Sequence, residues 1–152
     1  MARSKALDPY CSVARTLGVL GDRWTFLILR EALAGATRFG EFQSALGIAR
    51  DVLADRLATL VEYGVMTREP YQEPGRRSRE AYLLTEAGRD LSVALGSLQQ
   101  WGDKYLPRPD GPTVERRTRH SDRPVHVGFV DDLGNEIAPG DVVVNRTAAY
   151  PA

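Results

Sequence analysis

Apolar positions recur at helical spacing through the first part of the chain and then change period. In "DRWTFLILREALAG", Trp24, Leu27, Ile28 and Leu29 make one broad apolar face between Asp22, a residue type suited to an N-cap, and Gly35. This stretch predicts a helix. A second, shorter helix is predicted in "RFGEFQSALG", with Thr37 as its cap, Phe39, Phe42 and Leu46 at helical spacing, and Gly47 at its end. Almost at once "ARDVLADRLATLVEYG" sets Leu53, Leu57, Leu60 and Val61 at i, i+4, i+7 and i+8, with Gly64 as a stop. Two helices joined this closely, the second long and amphipathic, have the pattern of a helix-turn-helix, a pattern that helical bundles also contain.

The period then shifts to two. "VMTREPY" is strand-like and "QEPGRR" turn-like, and "SREAYLLT" alternates, with Ala81 and Leu83 on one face and Tyr82 and Leu84 on the other. A hairpin directly after a helix-turn-helix is a wing. From Thr85, "TEAGRDLSVALGSLQQWGDKYLP" carries Leu91, Leu95, Leu98, Trp101 and Tyr105 at spacings near 3.5 until Pro107 ends it. A narrow seam of this kind either folds back on its own domain or meets its copy across a twofold axis, and the dimer is the simpler reading.

Residues 108–124, "RPDGPTVERRTRHSDRP", have the composition of a linker. Beyond them "VHVGFV", "DDLGN" and "DVVV" read as two short strands around a turn. Their apolar surface is too small to fold alone, so this hairpin is expected to dock on the main domain or on a partner chain. The predicted fold class is mainly α with a β-hairpin wing (α+β), a winged helix-turn-helix. The expected divisions are a DNA-binding and dimerisation domain over 1–107, a linker over 108–124 and a β-hairpin extension over 125–152.

Charge changes the picture only locally. The 152 residues carry 20 basic and 20 acidic side chains, so net charge does not point to a polyanionic partner. The basic side chains are nearly all arginine, which suits bidentate contacts to phosphate and guanine. Neither the N-terminal stretch nor any later one has the apolar length of a signal peptide or a membrane span, so a cytoplasmic protein is expected. A single cysteine excludes an internal disulfide and a cysteine-built zinc site within one chain. There is no glycine-rich phosphate loop or metal-ligand spacing, and only two late histidines, so no nucleophile and base come together and no enzyme is expected.

The runs "CSVARTLGVLGDRWTFLILREALAGATRFGEFQSALGIARDVLADRLATLVEYGVMTREPYQ", "LLTEAGRDL" and "WGDKY" closely resemble HxlR-type transcriptional regulators, of the MarR-like superfamily, over roughly residues 10 to 106. The resemblance implies a winged helix-turn-helix homodimer that binds double-stranded operator DNA. It also implies that the cysteine at position 11, at the start of the first helix and near the dimer interface, can serve in relatives as a thiol sensor for oxidants or electrophiles, and it brings Val13 and Leu17 into that interface. The chain departs from the family pattern at three places. Alanine at 49 stands where a serine is usual, Asp51 where asparagine or lysine is frequent, and the extension lacks the CxxC-like cysteines that resemble a zinc ribbon in many relatives. Loss of the serine removes a helix cap worth about 1 kcal/mol. With His120 and His126 the only histidines, no metal and no cofactor are expected.

For the expected DNA surface, Arg76, Arg77 and Arg79 at the wing, Arg50 at the start of the recognition helix and Arg38 at the start of the preceding one are phosphate or groove contacts. The competing reading is a solvated loop balanced by Glu73 and Glu80. Ala49, Asp51 and Asp55 complete the recognition-helix set. A rotation of about 100° per residue from Leu53 turns Asp51, Asp55, Thr59 and Glu62 outward, an acidic face that accepts from cytosine N4 but repels phosphate. Arg56 either joins the DNA surface or pairs with Asp55 or Glu62. Cys11 is either a sensor, helped by a helix N-terminus and Arg15, or a small packed side chain. Trp24, Phe26, Trp101 and Tyr105 are either core or the lining of a pocket for a small apolar or electrophilic effector. The rival function is a winged-helix module that uses its acidic face to bind a basic protein.

Overall fold

The computed structural model describes residues 8–150, so residues 1–7 of the N-terminal stretch read above lie outside the described residues. The elements run α1 (Ser12–Leu20), α2 (Arg23–Leu33), α3 (Phe39–Leu46), α4 (Arg50–Glu62), β1 (Met66–Tyr71), β2 (Arg79–Leu84), α5 (Glu86–Tyr105), β3 (Phe129–Val130) and β4 (Glu136–Ile137). The chain divides into two compact units, one ending at Ser92 and one starting at Val93, so the division falls within α5.

The core of the first unit comes from the predicted apolar faces. Ile28 and Leu29 of α2, Phe42 of α3 and Leu53, Leu57 and Leu60 of α4 are fully buried, with Ile48, Val65 and Met66 at the joints. Asp22 caps α2 as expected, accepting the Trp24 amide at 2.8 Å. The expected cap of α3 is corrected. Arg38, not Thr37, occupies the N-cap position, and the Glu41 carboxylate reaches back to accept the amides of Thr37 at 2.8 Å and Arg38 at 2.9 Å. Thr37 is drawn out of capping by the sheet, because its carbonyl accepts the Tyr82 amide at 2.7 Å and Arg38 bridges Ala81. The wing is therefore a two-stranded sheet extended at the edge of β2 by residues 37 and 38.

β1 and β2 pair antiparallel from Met66 with Leu84 to Tyr71 with Arg79. Pro70 is tolerated because β1 is an edge strand. At the wing tip the Arg76 amide donates to the Glu73 carbonyl at 3.0 Å, around a Pro74-Gly75 pair in which Gly75 takes φ 73°. Proline followed by a positive-φ glycine is the chemistry of a type II turn. Thr85 joins wing to helix: its hydroxyl donates to the Gly64 carbonyl at 2.6 Å and accepts the Gly88 amide at 3.2 Å, capping α5.

In the second unit the expected hairpin forms with a corrected second strand. β3 pairs Phe129 with Ile137 and Val130 with Glu136, whereas the "DVVV" run is not a strand and a 3₁₀ turn, Pro139–Asp141, leads into it. Asp131 is the reason. Its carboxylate accepts the amides of Leu133 and Asn135 and the Asn135 side chain, which closes a tight turn and brings Glu136 opposite Val130. The hairpin segment docks on α5, where Val127 packs against Gly96 and exchanges hydrogen bonds with the Gln100 side chain. Residues 108–124 do not run free. Val114 and Arg116 both bond to Gln99 of α5, and Arg117 bridges Pro124.

Candidate nucleic-acid interface

α3 and α4 are joined by Gly47, Ile48 and Ala49. Gly47 takes φ 60° to end α3, and the buried Ile48 anchors the turn. α4 begins at Ala49 with no side-chain cap, so the exposed residues Ala49, Arg50 and Asp51 present the first free amides of the helix to solvent. Burial of Leu53, Leu57 and Leu60 turns the opposite face outward, and its exposed positions are Asp51, Ala54, Ala58 and Glu62. This corrects the acidic face expected from rotation alone. Asp55 and Thr59 lie at its margin, half-buried, with the Thr59 hydroxyl bonded to the Asp55 carbonyl and the Asp55 carboxylate 3.3 Å from Arg56. Two alanines occupy the middle of the exposed face. Their methyl groups let a helix approach a groove closely and suit contact with thymine methyls. Apolar periodicity points to bulky and charged positions, so the small Ala54 and Ala58 are not legible from it.

Arg56 is drawn inward. Its guanidinium lies 3.5 Å from Asp22 of α2 and 3.3 Å from Asp55, and Glu62 is not among its partners. The Asp22 contact was not legible from the sequence because it joins two helices. Arg50 packs over the Phe39 ring at 5.3 Å.

The wing arginines divide into two kinds. Arg76 lies 3.7 Å from Glu73, whose other oxygen takes a 2.6 Å bond from Arg38. Arg38 also stacks over Tyr71 at 4.8 Å, so the start of α3 and the wing are tied together. Arg77 and Arg79 are exposed, and among the described residues neither has an ion pair or side-chain hydrogen bond. Glu80 pairs at 3.4 Å with Arg68 across the sheet. The Glu41 carboxyl is held below its ordinary 4.5 by the Thr37 and Arg38 amides. Burial, followed by the Glu80 charge, pushes the Tyr82 hydroxyl upward.

Cys11 stands at the N-cap of α1, half-buried and unbridged. Arg15, one turn on, donates to the Pro9 carbonyl at 2.9 Å and to the Ser12 hydroxyl at 3.0 Å. Val13 and Leu17 project from α1 into solvent. In the second unit Leu98, Trp101 and Tyr105 are exposed along α5, with Trp101 and Tyr105 at a ring separation of 5.3 Å. Leu95 of that seam, and Leu91 in the first unit, are half-buried, while exposed Val93 and Leu106 extend it beyond the predicted residues. Trp24 and Phe26 are half-buried in the first unit and Trp101 and Tyr105 belong to the second. A groove of about 520 Å³ in the second unit is lined by Val127 to Phe129 and Glu136 to Pro139, and by none of these four aromatics.

Residues 19–110 match the model of the HxlR-like helix-turn-helix family. A helix-turn-helix-type transcriptional regulator of Mycobacterium tuberculosis, Rv3095, is 53% identical over 106 residues, which is 70% of this chain and 66% of that protein. The chain thus spans somewhat under two thirds of that relative's length. The crystal structure of PA1607, assigned as a transcription factor, superposes with a TM-score of 0.79 at 40% identity, covering 97% of this chain and all of that one. The redox regulator HypR in its reduced form gives a TM-score of 0.56 at 28% identity, over 63% of this chain and 96% of that one.

Proposed function

The chain belongs to the HxlR-like helix-turn-helix family, and from that premise we propose that it is a transcriptional regulator that binds operator DNA as a homodimer. One observation carries this reading. The exposed face of α4 has small side chains at its centre, and the wing that follows offers Arg77 and Arg79 with no carboxylate to neutralise them. A helix that enters a major groove and a basic loop that meets the backbone need these two properties.

Apolar side chains left in solvent support dimerisation. Val13 and Leu17 on α1, Leu98, Trp101 and Tyr105 on α5, and Leu106 just after it are each more than half exposed, apolar surface that a partner copy would cover. A twofold dimer reads an imperfect inverted repeat with half-sites about one helical turn apart. Occupying that site excludes polymerase without further contacts, so repression in the cytoplasm is the action proposed.

Release of the DNA is assigned to a thiol-reactive or small apolar signal. Cys11 borders the exposed face of α1, where oxidation, or pairing with Cys11 of a second copy, would alter the dimer. The similarity to a redox regulator agrees with that reading.

The deciding experiment is fluorescence anisotropy with a duplex from upstream of the protein's own gene and a scrambled duplex, across a salt series. Preference for the native duplex with a steep salt slope is expected. Absence of binding to both would transfer the α4 face, through Asp51 and Glu62, to a basic protein partner. If DNA is bound, release by diamide in the wild type and its loss in Cys11→Ser test the thiol signal.

A further inference from the structure

The second unit carries a basic turn that the helix-turn-helix and wing do not use. Arg117 and Pro124 form an isolated antiparallel bridge that closes residues 118–123 into a compact loop. Inside it the Thr118 amide donates to the Arg123 carbonyl at 2.8 Å, the Arg123 amide to the Thr118 hydroxyl at 3.0 Å and the Asp122 amide to the Thr118 carbonyl at 3.1 Å. Asp122 takes φ 51°, in the left-handed region that aspartate tolerates better than most residues.

The loop's carboxylates are occupied by one arginine. Arg117 lies 3.0 Å from Glu115 and 3.6 Å from Asp122, and also donates to the Asp122 carbonyl at 2.7 Å. Arg116 turns away to Gln99 of α5. The loop exposes Arg119, His120 and Arg123 alongside Ser121 and Asp122, and among the described residues neither Arg119 nor Arg123 has an ion pair or side-chain hydrogen bond. Of the unit's other acidic groups, Asp103 lies on α5, Asp110 pairs with Arg108 at 3.9 Å, and Asp131, Asp132, Glu136 and Asp141 fall within or just after the β3–β4 hairpin.

We propose that this turn is a second nucleic-acid contact, in which Arg119 and Arg123 hold phosphates of duplex DNA additional to those met by the wing. The proposal rests on the operator-binding reading above. The chemistry of the turn favours DNA over an acidic protein. Protein interfaces draw their energy from buried aromatic and apolar anchors, and the exposed loop from Thr118 to Arg123 contains none. Backbone contacts to DNA come largely from arginine forks, which the loop presents at Arg119 and Arg123, while its Thr118 and Ser121 hydroxyls bond to each other.

The test is the salt dependence of anisotropy on the operator duplex, for the wild type, Arg119→Ala with Arg123→Ala, and Arg119→Lys with Arg123→Lys. Each phosphate contact contributes about 0.9 to the slope of log K against log salt, so the alanine pair is expected to lower it by about two per bound protomer. The preference for operator over scrambled duplex stays as in the wild type, and the lysine pair keeps the wild-type slope. An unchanged slope in the alanine variant overturns the proposal. Loss of retention on poly-L-glutamate with an unchanged DNA slope also overturns it, in favour of an acidic protein partner. If the wild type itself shows no salt-dependent binding to either duplex, the operator reading fails, and this proposal fails with it for a distinguishable reason.

Discussion

Asp22, which caps α2 through the Trp24 amide, also faces Arg56 of α4, with its Oδ1 3.5 Å from the arginine Nε. That Nε is buried and makes no aligned hydrogen bond, so the carboxylate is its electrostatic partner and the pair sets how α4 sits on α2. Asp22→Ala removes both roles and is expected to cost about 1–3 kcal/mol. Asp22→Ser keeps a capping oxygen and loses only the charge, so it should recover about 1 kcal/mol of that loss. Urea unfolding of both variants separates the roles, and equal losses would mean that the cap contributes nothing.

Gly88 is a glycine by necessity of packing, not of conformation. A Cβ there would lie 2.2 Å from the Val65 carbonyl oxygen and 2.9 Å from Leu84. Gly88→Ala gains about 1 kcal/mol of helix propensity but forces α5 off the wing, and the net effect expected is a loss of about 1–3 kcal/mol. A raised melting temperature in this variant would contradict the close approach.

At Ala49 the effect should have the opposite sign. With no side-chain cap on α4, Ala49→Ser supplies an oxygen for the exposed first-turn amides and is expected to stabilise the chain by about 1 kcal/mol. Thermal unfolding measures it, and an unchanged midpoint would mean that the serine does not reach those amides.

Glu41 makes the α3 start sensitive to acid. Two amide donors hold its carboxyl below 4.5 in the folded chain. A depressed folded value contributes stability that is full above the unfolded value and is lost as pH falls through the folded one. From neutral pH down through 4.5 and below, the wild type should therefore lose stability relative to Glu41→Gln. Parallel pH profiles for the two proteins would assign the acid sensitivity elsewhere.

On the wing, Glu73 holds Arg38 at 2.6 Å and Arg76 at 3.7 Å in the free protein. Replacing Arg76 and Arg77 by alanine is expected to weaken binding to all DNA sequences alike and to lower the salt slope by about two per protomer. Glu73→Gln, which releases both arginines, should strengthen non-specific binding. A slope unmoved by the arginine pair removes the wing from the phosphate contacts.

Local chemistry and apolar period were enough to read α2 to α5 and the wing from the chain alone. The Leu53, Leu57, Leu60 spacing, glycines that can take positive φ after α3 and α4, Pro74-Gly75 at the wing tip and Asp22 ahead of α2 each act within a few residues of themselves. They made the two helices, the wing and the long α5 legible. What involved pairs distant in sequence was decided by the tertiary structure. Tyr82 takes the Thr37 carbonyl, so the cap of α3 passes to Arg38 and Glu41. Asp22 and Asp55 both draw Arg56 inward, and packing of the leucines leaves Ala54 and Ala58 exposed on a face that rotation alone made acidic. Asp131 closes its turn early enough that Glu136, and not the valine run, becomes the second strand. Periodicity records which side of an element is apolar, but a carboxylate or carbonyl finds its partner only after the elements have packed.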